Sequence, residues 1–430
     1  MRRVLSADWV LPVEGAPIED GAVAIEDGRI AAVGTVTELG PGERFPGAVI
    51  VPGFVNAHTH LEYAVFAGFG DGLDFGPWIR LHIERKGRIG LEELRAAARL
   101  GAAECLRSGI TTVGDSSFRG VAAEACAELG LRAIVYLEVF GAGREALTAF
   151  EETRARIGHA LSDRVQVGIG PHAPYSVAPE LYAACLELGL PVTTHLAESQ
   201  GEQDWLTTGT GPFTQLAHMF VPPPGETGAR LLARHGILDP RLLVAHGVKL
   251  DDEEIDLLAR ADVAVAHCPR SNALLGCGIA PLAELRAAGV RVGIGTDGVS
   301  SVPSYDMFEE LRTAIYTARA RAERSDALSA SDALELATLG SARALRLDTQ
   351  IGSLTPGKRA DIAVVSLTGS PYLPWEDPAA AVVFGGSPER VLFSLVDGQP
   401  RYRKGGTEWQ ELISDAAGAR GRMLLAPVGA

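Results

Sequence analysis

The sequence predicts an α/β protein: a metal-dependent (β/α)8 TIM barrel with a small β-sandwich built from both chain termini. Three observations predict it. Across the middle of the chain, short apolar strand-like runs alternate with alanine- and leucine-rich helical stretches, the pattern of a parallel sheet with crossover helices. Hairpin-textured segments occur at both ends. Polar residues able to ligate metal or move protons stand at the C-terminal end of nearly every strand-like run, where a barrel of this kind keeps its chemistry.

From Arg3 to about Ile50 the chain reads as short strands with tight turns, and Asp27-Gly28, inside the run Ala22 to Val33, marks a hairpin. The same texture returns in Asp361 to Ser366 and in Val391 to Val396, which Asp397-Gly398 follows. Residues 1–50 plus 351–404 are therefore expected to form one sandwich, and 51–350 the barrel. Eight barrel strands are expected near Val49 to Asn56, Ile110 to Gly114, Arg132 to Val139, Val165 to Gly170, Pro191 to Thr194, Leu242 to Ala245, Val263 to Ala266 and Val290 to Gly295. Glu92 to Arg107, Ala178 to Leu188 and Asp251 to Ala259 read as intervening amphipathic helices, with Ala327 to Leu345 an added helical pair. Residues 405–430 carry little pattern and are expected to be a surface helix and a tail.

Composition narrows the function. A chain of 430 residues holds one large domain plus a smaller one. A net charge of −15 without long like-charge runs argues against nucleic-acid or anionic-membrane partners, both of which need a basic surface, and points to a small molecule. Five scattered cysteines make no disulfide framework, and the N-terminus lacks an apolar signal segment. No run approaches the ~18 apolar residues of a membrane span. A cytoplasmic location is expected, and a homodimer is compatible with the sequence.

The strongest signal is Pro52-Gly-Phe-Val-Asn-Ala-His-Thr-His60, in which a short apolar strand ends in two imidazoles spaced i, i+2. In a strand that spacing points both rings to one face, so His58 and His60 can grip a single ion. Asp115, Glu138, His172, His195 with Glu198, His246, His267 and Asp297 follow at the ends of the later strands. Each alone has a plainer reading. A single histidine more often fills a surface or satisfied core position, Asp297 could cap its turn, and Asp115 reads as a structural carboxylate. Cys268 and Cys277 read as unligated thiols. For His58 with His60 that plainer reading is weaker, since paired imidazoles on one buried face repel when protonated and gain nothing from packing. Imidazoles with a carboxylate suit one divalent ion, Zn2+ first and Fe2+ or Mn2+ next, which would bring the pKa of a bound water toward neutrality. The fourth strand ends in Gly170-Pro-His-Ala-Pro174 and offers no lysine to bridge two metals, so one metal is expected.

These landmarks, with Thr194-His-Leu-Ala-Glu198, Ala245-His-Gly247, Gly295-Thr-Asp-Gly298 and the return segment Ile351 to Val364, resemble the amidohydrolase superfamily over essentially the whole chain. The chain is most similar to the branch of cytosine, guanine and adenosine-type deaminases and triazine chlorohydrolases. The resemblance implies that His58, His60, His195 and Asp297 ligate the metal. It gives Glu198 the role of proton shuttle beside a substrate ring nitrogen, and His246 that of polarising the attacking water or holding the departing group. His172 and Glu84 occupy positions that bind substrate in thioadenosine and adenosylhomocysteine deaminases. Phe75 and Trp78, in the segment Phe75 to Ile79 read as a loop, are expected to wall the substrate pocket, with ordinary core packing the plainer alternative, and Glu84 lies in a less patterned loop. Residues 201–228 are a candidate lid, which Pro222-Pro-Pro224 prevents from being one continuous helix.

A narrower likeness is to the aminodeoxyfutalosine deaminases of the alternative menaquinone pathway. It rests on His58-Thr-His-Leu-Glu-Tyr63, Phe75-Gly-Pro-Trp-Ile79, His195 to Leu206 with Gly209-Thr-Gly-Pro-Phe213, and His267-Cys-Pro-Arg-Ser-Asn272. Val302-Pro-Ser304 departs from the Asn-rich turn expected after the eighth strand. The expected reaction is hydrolytic deamination of a 6-aminopurine nucleoside, aminodeoxyfutalosine to futalosine. The alternatives are methylthioadenosine or adenosylhomocysteine deamination, triazine dechlorination, and, more remotely, a barrel without catalysis.

Overall fold

The computed structural model describes residues 2–68, 70–406 and 409–425. Its largest feature is a sheet of eight parallel strands in chain order: Phe54–Thr59, Ile110–Ser117, Arg132–Val139, Val165–Pro171, Val192–Leu196, Leu242–His246, Ala264–His267 and Arg291–Ile294. The curved sheet returns to its own start. Just past the eighth strand, the Asp297 amide donates to the His58 carbonyl at 3.0 Å. Beside it, the Asn56 side chain donates to Thr296 Oγ1 at 2.7 Å and accepts the Thr296 amide at 3.0 Å. The expected barrel is therefore present. Strands covered on both faces need near-continuous apolar sequence, and the first two are buried at every position. Val55, Ile134, Tyr136, Leu243 and Ala266 meet in one cluster with Leu345, at the end of the added helical segment, and with Ile351 of the return segment.

The chain ends build a second, mixed sheet. Its strand order is Gln399–Arg403, Val391–Val396, Ile362–Ser366, Glu43–Pro52, Arg3–Val10, Gly21–Glu26 and Arg29–Thr35, with Ile18–Glu19 alongside Arg3–Val10. The two ends thus form one continuous sheet, because the long strand Glu43–Pro52 pairs with Arg3–Val10 on one side and Ile362–Ser366 on the other. Its apolar face is sealed by Leu5, Val23, Ile30, Phe45, Ile362 and Phe393. Asp27 and Gly28 both take positive φ, 50° and 77°, as the expected two-residue hairpin requires.

Two local readings change. The run read as one strand from Val49 to Asn56 is divided between the two sheets at Pro52-Gly53. A side chain at Gly53 would come within 2.2 Å of Thr111, so only glycine lets the chain pass there. The segment around Trp78 and Glu84, read as a loop, is the helix Phe75–Lys86 with Asp74 at its N-cap. Residues 201–228 begin with the helix Gln200–Thr208, continue in the 3-10 stretch Pro212–Met219 and then run irregularly through the prolines. The other helices fall where expected, at Leu91–Arg107, Pro179–Glu187 and Asp252–Arg260. The added segment comprises Ala330–Glu335, a π turn at Leu336–Gly340 and Ser341–Ala344. Within the expected tail, the helix Trp409–Leu425 packs against Leu91–Arg107 through the pairs Arg422–Glu93 and Arg99–Asp415, while residues 407, 408 and 426–430 lie outside the described residues. No helix among the described residues is long and apolar enough to cross a membrane.

Barrel and terminal sheet are joined by a buried charge network. Arg132, which opens the third barrel strand, donates from Nε to Asp361 at 2.8 Å and from Nη2 to Asp397 at 2.6 Å, and its side chain and that of Asp361 are only 4% and 3% exposed. Removing one member leaves its partner charged in a dry interface. Arg132→Met, which strands the buried Asp361 carboxylate, should therefore cost about 3–5 kcal/mol and lower the thermal unfolding midpoint. An unchanged midpoint in scanning calorimetry would mean that this network does not hold the two sheets together.

Candidate active site

The ends of the first, fifth, sixth and eighth barrel strands bring His58, His60, His195, His246 and Asp297 to one point. His58, His60 and Asp297 offer ligand atoms that all lie within 4.8 Å of one another, and so do His58, His195 and His246. His60 Nδ1 faces the Ser116 carbonyl at 2.9 Å and His195 Nδ1 the His172 carbonyl at 2.9 Å. A carbonyl only accepts, so both Nδ1 atoms carry hydrogen, and in a neutral ring the Nε2 atom then presents a bare lone pair. Burial, aided by His58, pushes His60 down to about 3, and burial with His172 pulls His195 well below the ordinary value, so both rings are neutral. Yet the two Nε2 atoms stand 3.3 Å apart. The buried Nε2 of His58 has no hydrogen-bond partner. Lone pairs held face to face in a dry site repel unless a cation lies between them, and ring Nδ1 donors bound to carbonyls are the usual outer support of metal-ligating imidazoles. These residues fit one divalent ion.

Asp297 completes the group. Its Oδ2 accepts hydroxyl donors from Ser271 at 2.7 Å and Ser301 at 2.6 Å, and its Oδ1 lies 3.6 Å from His58 Nε2 and 3.4 Å from His60 Nε2. Burial alone would raise this carboxyl, but the surrounding histidines, His58 first, hold it well below the usual carboxylate range. Asp297 and His246 both have left-handed backbone, at φ 61° and 76°. Such residues are strained, and packing must over-determine them. The Asp297 amide bond to His58 does so on one side, and Asn272, whose Oδ1 lies 3.0 Å from His246 Nδ1, does so on the other.

Glu198 sits at the rim of this group, 3.6 Å from His246 Nε2, too far for a hydrogen bond. Burial, then the nearby charges of Asp297 and Glu202, raise its carboxyl well above the ordinary value, which favours its protonated form beside the Asp297 carboxylate. The turn that presents it is clamped by Glu202, whose two oxygens accept the Ala197 and Glu198 amides at 2.8 Å each. Ser199 caps the following helix by accepting the Glu202 amide at 3.2 Å.

A cavity of about 800 Å³ opens over these groups, a volume suited to a nucleoside-sized ligand. Trp78, Phe75 and His172 line it, and Trp78 is tied down by donating from Nε1 to the Ser300 carbonyl at 3.1 Å. Phe213, from the segment after the fifth strand, stacks on Phe75 at 5.8 Å, and Met219 and Phe220 extend the wall. His172 is pushed down to about 3 by burial and then by Lys86, which leaves a neutral ring with Nδ1 at 2.8 Å from Ser176 Oγ.

Glu84 does not line this cavity. It pairs with Arg88 at 2.5 Å on the outer side of its helix, whose cavity face carries Trp78, Ile79, His82, Ile83 and Lys86 instead. The structure therefore does not bring Glu84 to the cavity, and the cause is the helical period, which turns position 84 away from positions 79, 82, 83 and 86. Asp115 accepts the Leu61 amide at 2.7 Å and is absent from the cavity lining, as is His267. Glu138 does reach the cavity, grouped with His172 and His195. Sequence reading did not single out Ser271, Asn272, Ser301 or Glu202 as supports. Ser271 and Asn272 carried the one available signal, two polar residues in the turn that leaves the seventh strand.

Comparison with known proteins agrees with this geometry. The model of the Amidohydrolase family matches residues 49–401. A 5'-deoxyadenosine deaminase of Methanothermobacter thermautotrophicus is 35% identical over 411 residues, covering 92% of each chain. A 5-methylthioadenosine/S-adenosylhomocysteine deaminase of Moorella thermoacetica is 34% identical over 415 residues, covering 93% of this chain and 94% of its own. Among solved structures, an adenosine deaminase from Xanthomonas campestris with bound zinc aligns with a TM-score of 0.86 at 29% identity over 98% of both chains. The zinc complex of atrazine chlorohydrolase from Arthrobacter aurescens aligns at 0.83 over 97% of this chain and 99% of its own, and at 24% identity it speaks for the fold alone. With a family match across most of its length and relatives above 30% identity over nine-tenths of it, the chain belongs to the amidohydrolase family.

Proposed function

We propose that this protein hydrolytically deaminates a 6-aminopurine nucleoside, replacing the C6 amine with oxygen and releasing ammonia. The observation that carries the reading is the set of imidazole nitrogens and one carboxylate aimed at a common point, with the Glu198 carboxyl at its rim. In this reading His58, His60, His195 and Asp297 hold one divalent ion. Zinc is the first choice, supported by the metal named for the Xanthomonas campestris structure, and Fe2+ or Mn2+ suit the same donors. Such an ion, when bound, acidifies a water and so supplies the nucleophile.

The chain's own groups handle the protons. Glu198 gives its proton to the purine ring nitrogen next to C6, which makes C6 electrophilic, while Asp297 accepts a proton from the attacking water. His246 orients that water through its Nε2 edge, its ring fixed by Asn272. When the C6–N bond breaks, the proton held by Asp297 leaves with the amine as ammonia, and the proton of the new C6 hydroxyl returns to Glu198. Trp78 and His172 flank the bound ring.

The 5′ substituent separates two finer readings. Aminodeoxyfutalosine, whose deamination gives futalosine for menaquinone synthesis, is proposed first, on the motifs following the first, fifth and seventh strands. Methylthioadenosine or adenosylhomocysteine is the second, supported by the activity named for the Moorella thermoacetica relative. A small-molecule substrate handled in the cytoplasm suits either.

Loss of adenine absorbance with aminodeoxyfutalosine, 5′-deoxyadenosine, methylthioadenosine and adenosylhomocysteine, beside chloride release from a chlorotriazine, tests the class and ranks the substrates. Turnover of at least one nucleoside is expected, and dechlorination without deamination would overturn the reading. Glu198→Gln should keep full metal content by elemental analysis and lose about 10²–10⁴-fold in kcat. Chelation should abolish turnover and lower the melting temperature, because an ion that binds only the folded state stabilises it. Unchanged melting after complete metal removal would exclude a site built by these four ligands.

A further inference from the structure

One end of the cavity holds a cation that the deamination chemistry does not use. Lys86, the last residue of the helix Phe75–Lys86, lines the cavity with its Nζ 3.8 Å from the centre of the Phe118 ring and about as far from Tyr63, at 5.9 Å, as from Phe140, at 6.0 Å. Among the described residues no carboxylate lies within the 4.0 Å of an ion pair to it. The two carboxyls that act on it from farther away, Glu138 and Glu62, are otherwise engaged. Glu62 is saturated by Ser117 Oγ at 2.5 Å and by the Arg119 and Val121 amides at 2.9 and 3.0 Å. Glu138 stands with His172 and His195 beside the reaction centre. Burial lowers the Lys86 ammonium below its ordinary value, against the pull of those two carboxyls. A half-buried ammonium with an aromatic ring as its nearest partner is incompletely compensated.

A second cation shares that ring. The Arg119 guanidinium carbon lies 4.9 Å from the Phe118 centre, and no ion pair of Arg119 is found among the described residues. Arg156, also at the cavity, is already paired with Glu124 at 3.4 Å. Phe140 is 38% exposed, an apolar ring left open to the cavity at 6.4 Å from Phe118. An incompletely compensated ammonium and an exposed guanidinium without an ion pair, beside two aromatic rings, form a surface for a flat apolar group that ends in an anion.

We propose that Lys86, assisted by Arg119, selects substrates whose 5′ substituent is an aromatic or apolar group terminating in a carboxylate. The inference rests on the nucleoside-deaminase reading and deepens it by naming the chemical class of the substituent. The carboxylate forms a charge-assisted bond to the Lys86 ammonium, and Phe118 and Phe140 cover the apolar body.

The test uses the metal-loaded enzyme and the ratio of kcat/KM for an anionic nucleoside over a neutral one. Aminodeoxyfutalosine supplies an aryl carboxylate, adenosylhomocysteine an amino-acid carboxylate, adenosine 5′-monophosphate a phosphate, and methylthioadenosine the neutral reference. Lys86→Met should lower the aryl-carboxylate ratio about 10- to 100-fold, chiefly through KM, as expected for loss of a desolvated charge contact. Lys86→Arg should retain most of it. Because neutral turnover is read on the same preparation, misfolding cannot imitate the result. An unchanged ratio overturns the proposal, and so does a loss confined to the monophosphate, which would make the anion a phosphate. Calorimetry with benzoate separates the two readings. Benzoate binding that Lys86→Met abolishes supports the subsite even if no nucleoside is deaminated, whereas deamination without any Lys86-dependent anion preference overturns the subsite and leaves the deaminase intact.

Discussion

The fold depends on bringing four imidazole edges and a carboxylate to one dry point, an arrangement that repels itself without a cation. Its geometry is fixed by hydrogen bonds that run away from that point. The Ser116 and His172 carbonyls and the Asn272 amide each take the outward nitrogen of a ring, which leaves the inward nitrogen bare. Neutral rings are what such a site needs, because a protonated imidazole cannot ligate. Burial enforces neutrality before any ion arrives.

Closure of the barrel is part of the same constraint. The first strand carries two of the rings and the eighth strand leads to Asp297, so the group exists only if the sheet meets its own beginning. The Asp297 amide bond to His58 and the Asn56–Thr296 exchange are that meeting. The left-handed backbone at His246 and Asp297 is strain that a looser sheet would release. Stability at the seam and placement of the ligands are one requirement, which explains why Thr59, Thr296 and Ser271 are polar in an otherwise apolar wall.

The barrel was legible because buried parallel strands force near-continuous apolar runs, and the gathering of His58, His60, His195, His246 and Asp297 because strand ends are few and their side-chain directions alternate with period two. Pro52-Gly53 shows where that logic stops. An unbroken apolar run from Val49 to Asn56 serves two sheets, and only the close approach of Thr111 to Gly53 reveals the break. The helix Phe75–Lys86 was obscure for a related reason. Its cavity face mixes Trp78 and His82 with Lys86, so the apolar stripe that announces a helix is interrupted by the residues that face the ligand. Reading it as a loop removed the period that would have turned Glu84 outward and Lys86 inward. Supports such as Glu202 act through backbone amides, and a side chain that holds amides leaves no spacing signature.

Charge gives the cavity a character opposite to that of the whole chain. A net charge of −15 makes the surface a poor host for anions, and a nucleoside bearing a carboxylate approaches against that field. Screening confines the repulsion to about 8 Å at physiological salt, so the choice is made by groups within that distance of the bound carboxylate. Lys86 and Arg119 are such groups, and they stand over an aromatic ring whose low polarity strengthens any direct contact they make. The reaction centre lies apart from them, where Glu198 must stay protonated and Asp297 ionised. A substrate anion placed near Glu198 would hold its proton more tightly and slow its delivery to the ring nitrogen. Separating the anion from the carboxyl pair by the length of a ribose and its substituent leaves that proton free to move, so the distance between the two ends of the cavity is itself a requirement of the chemistry.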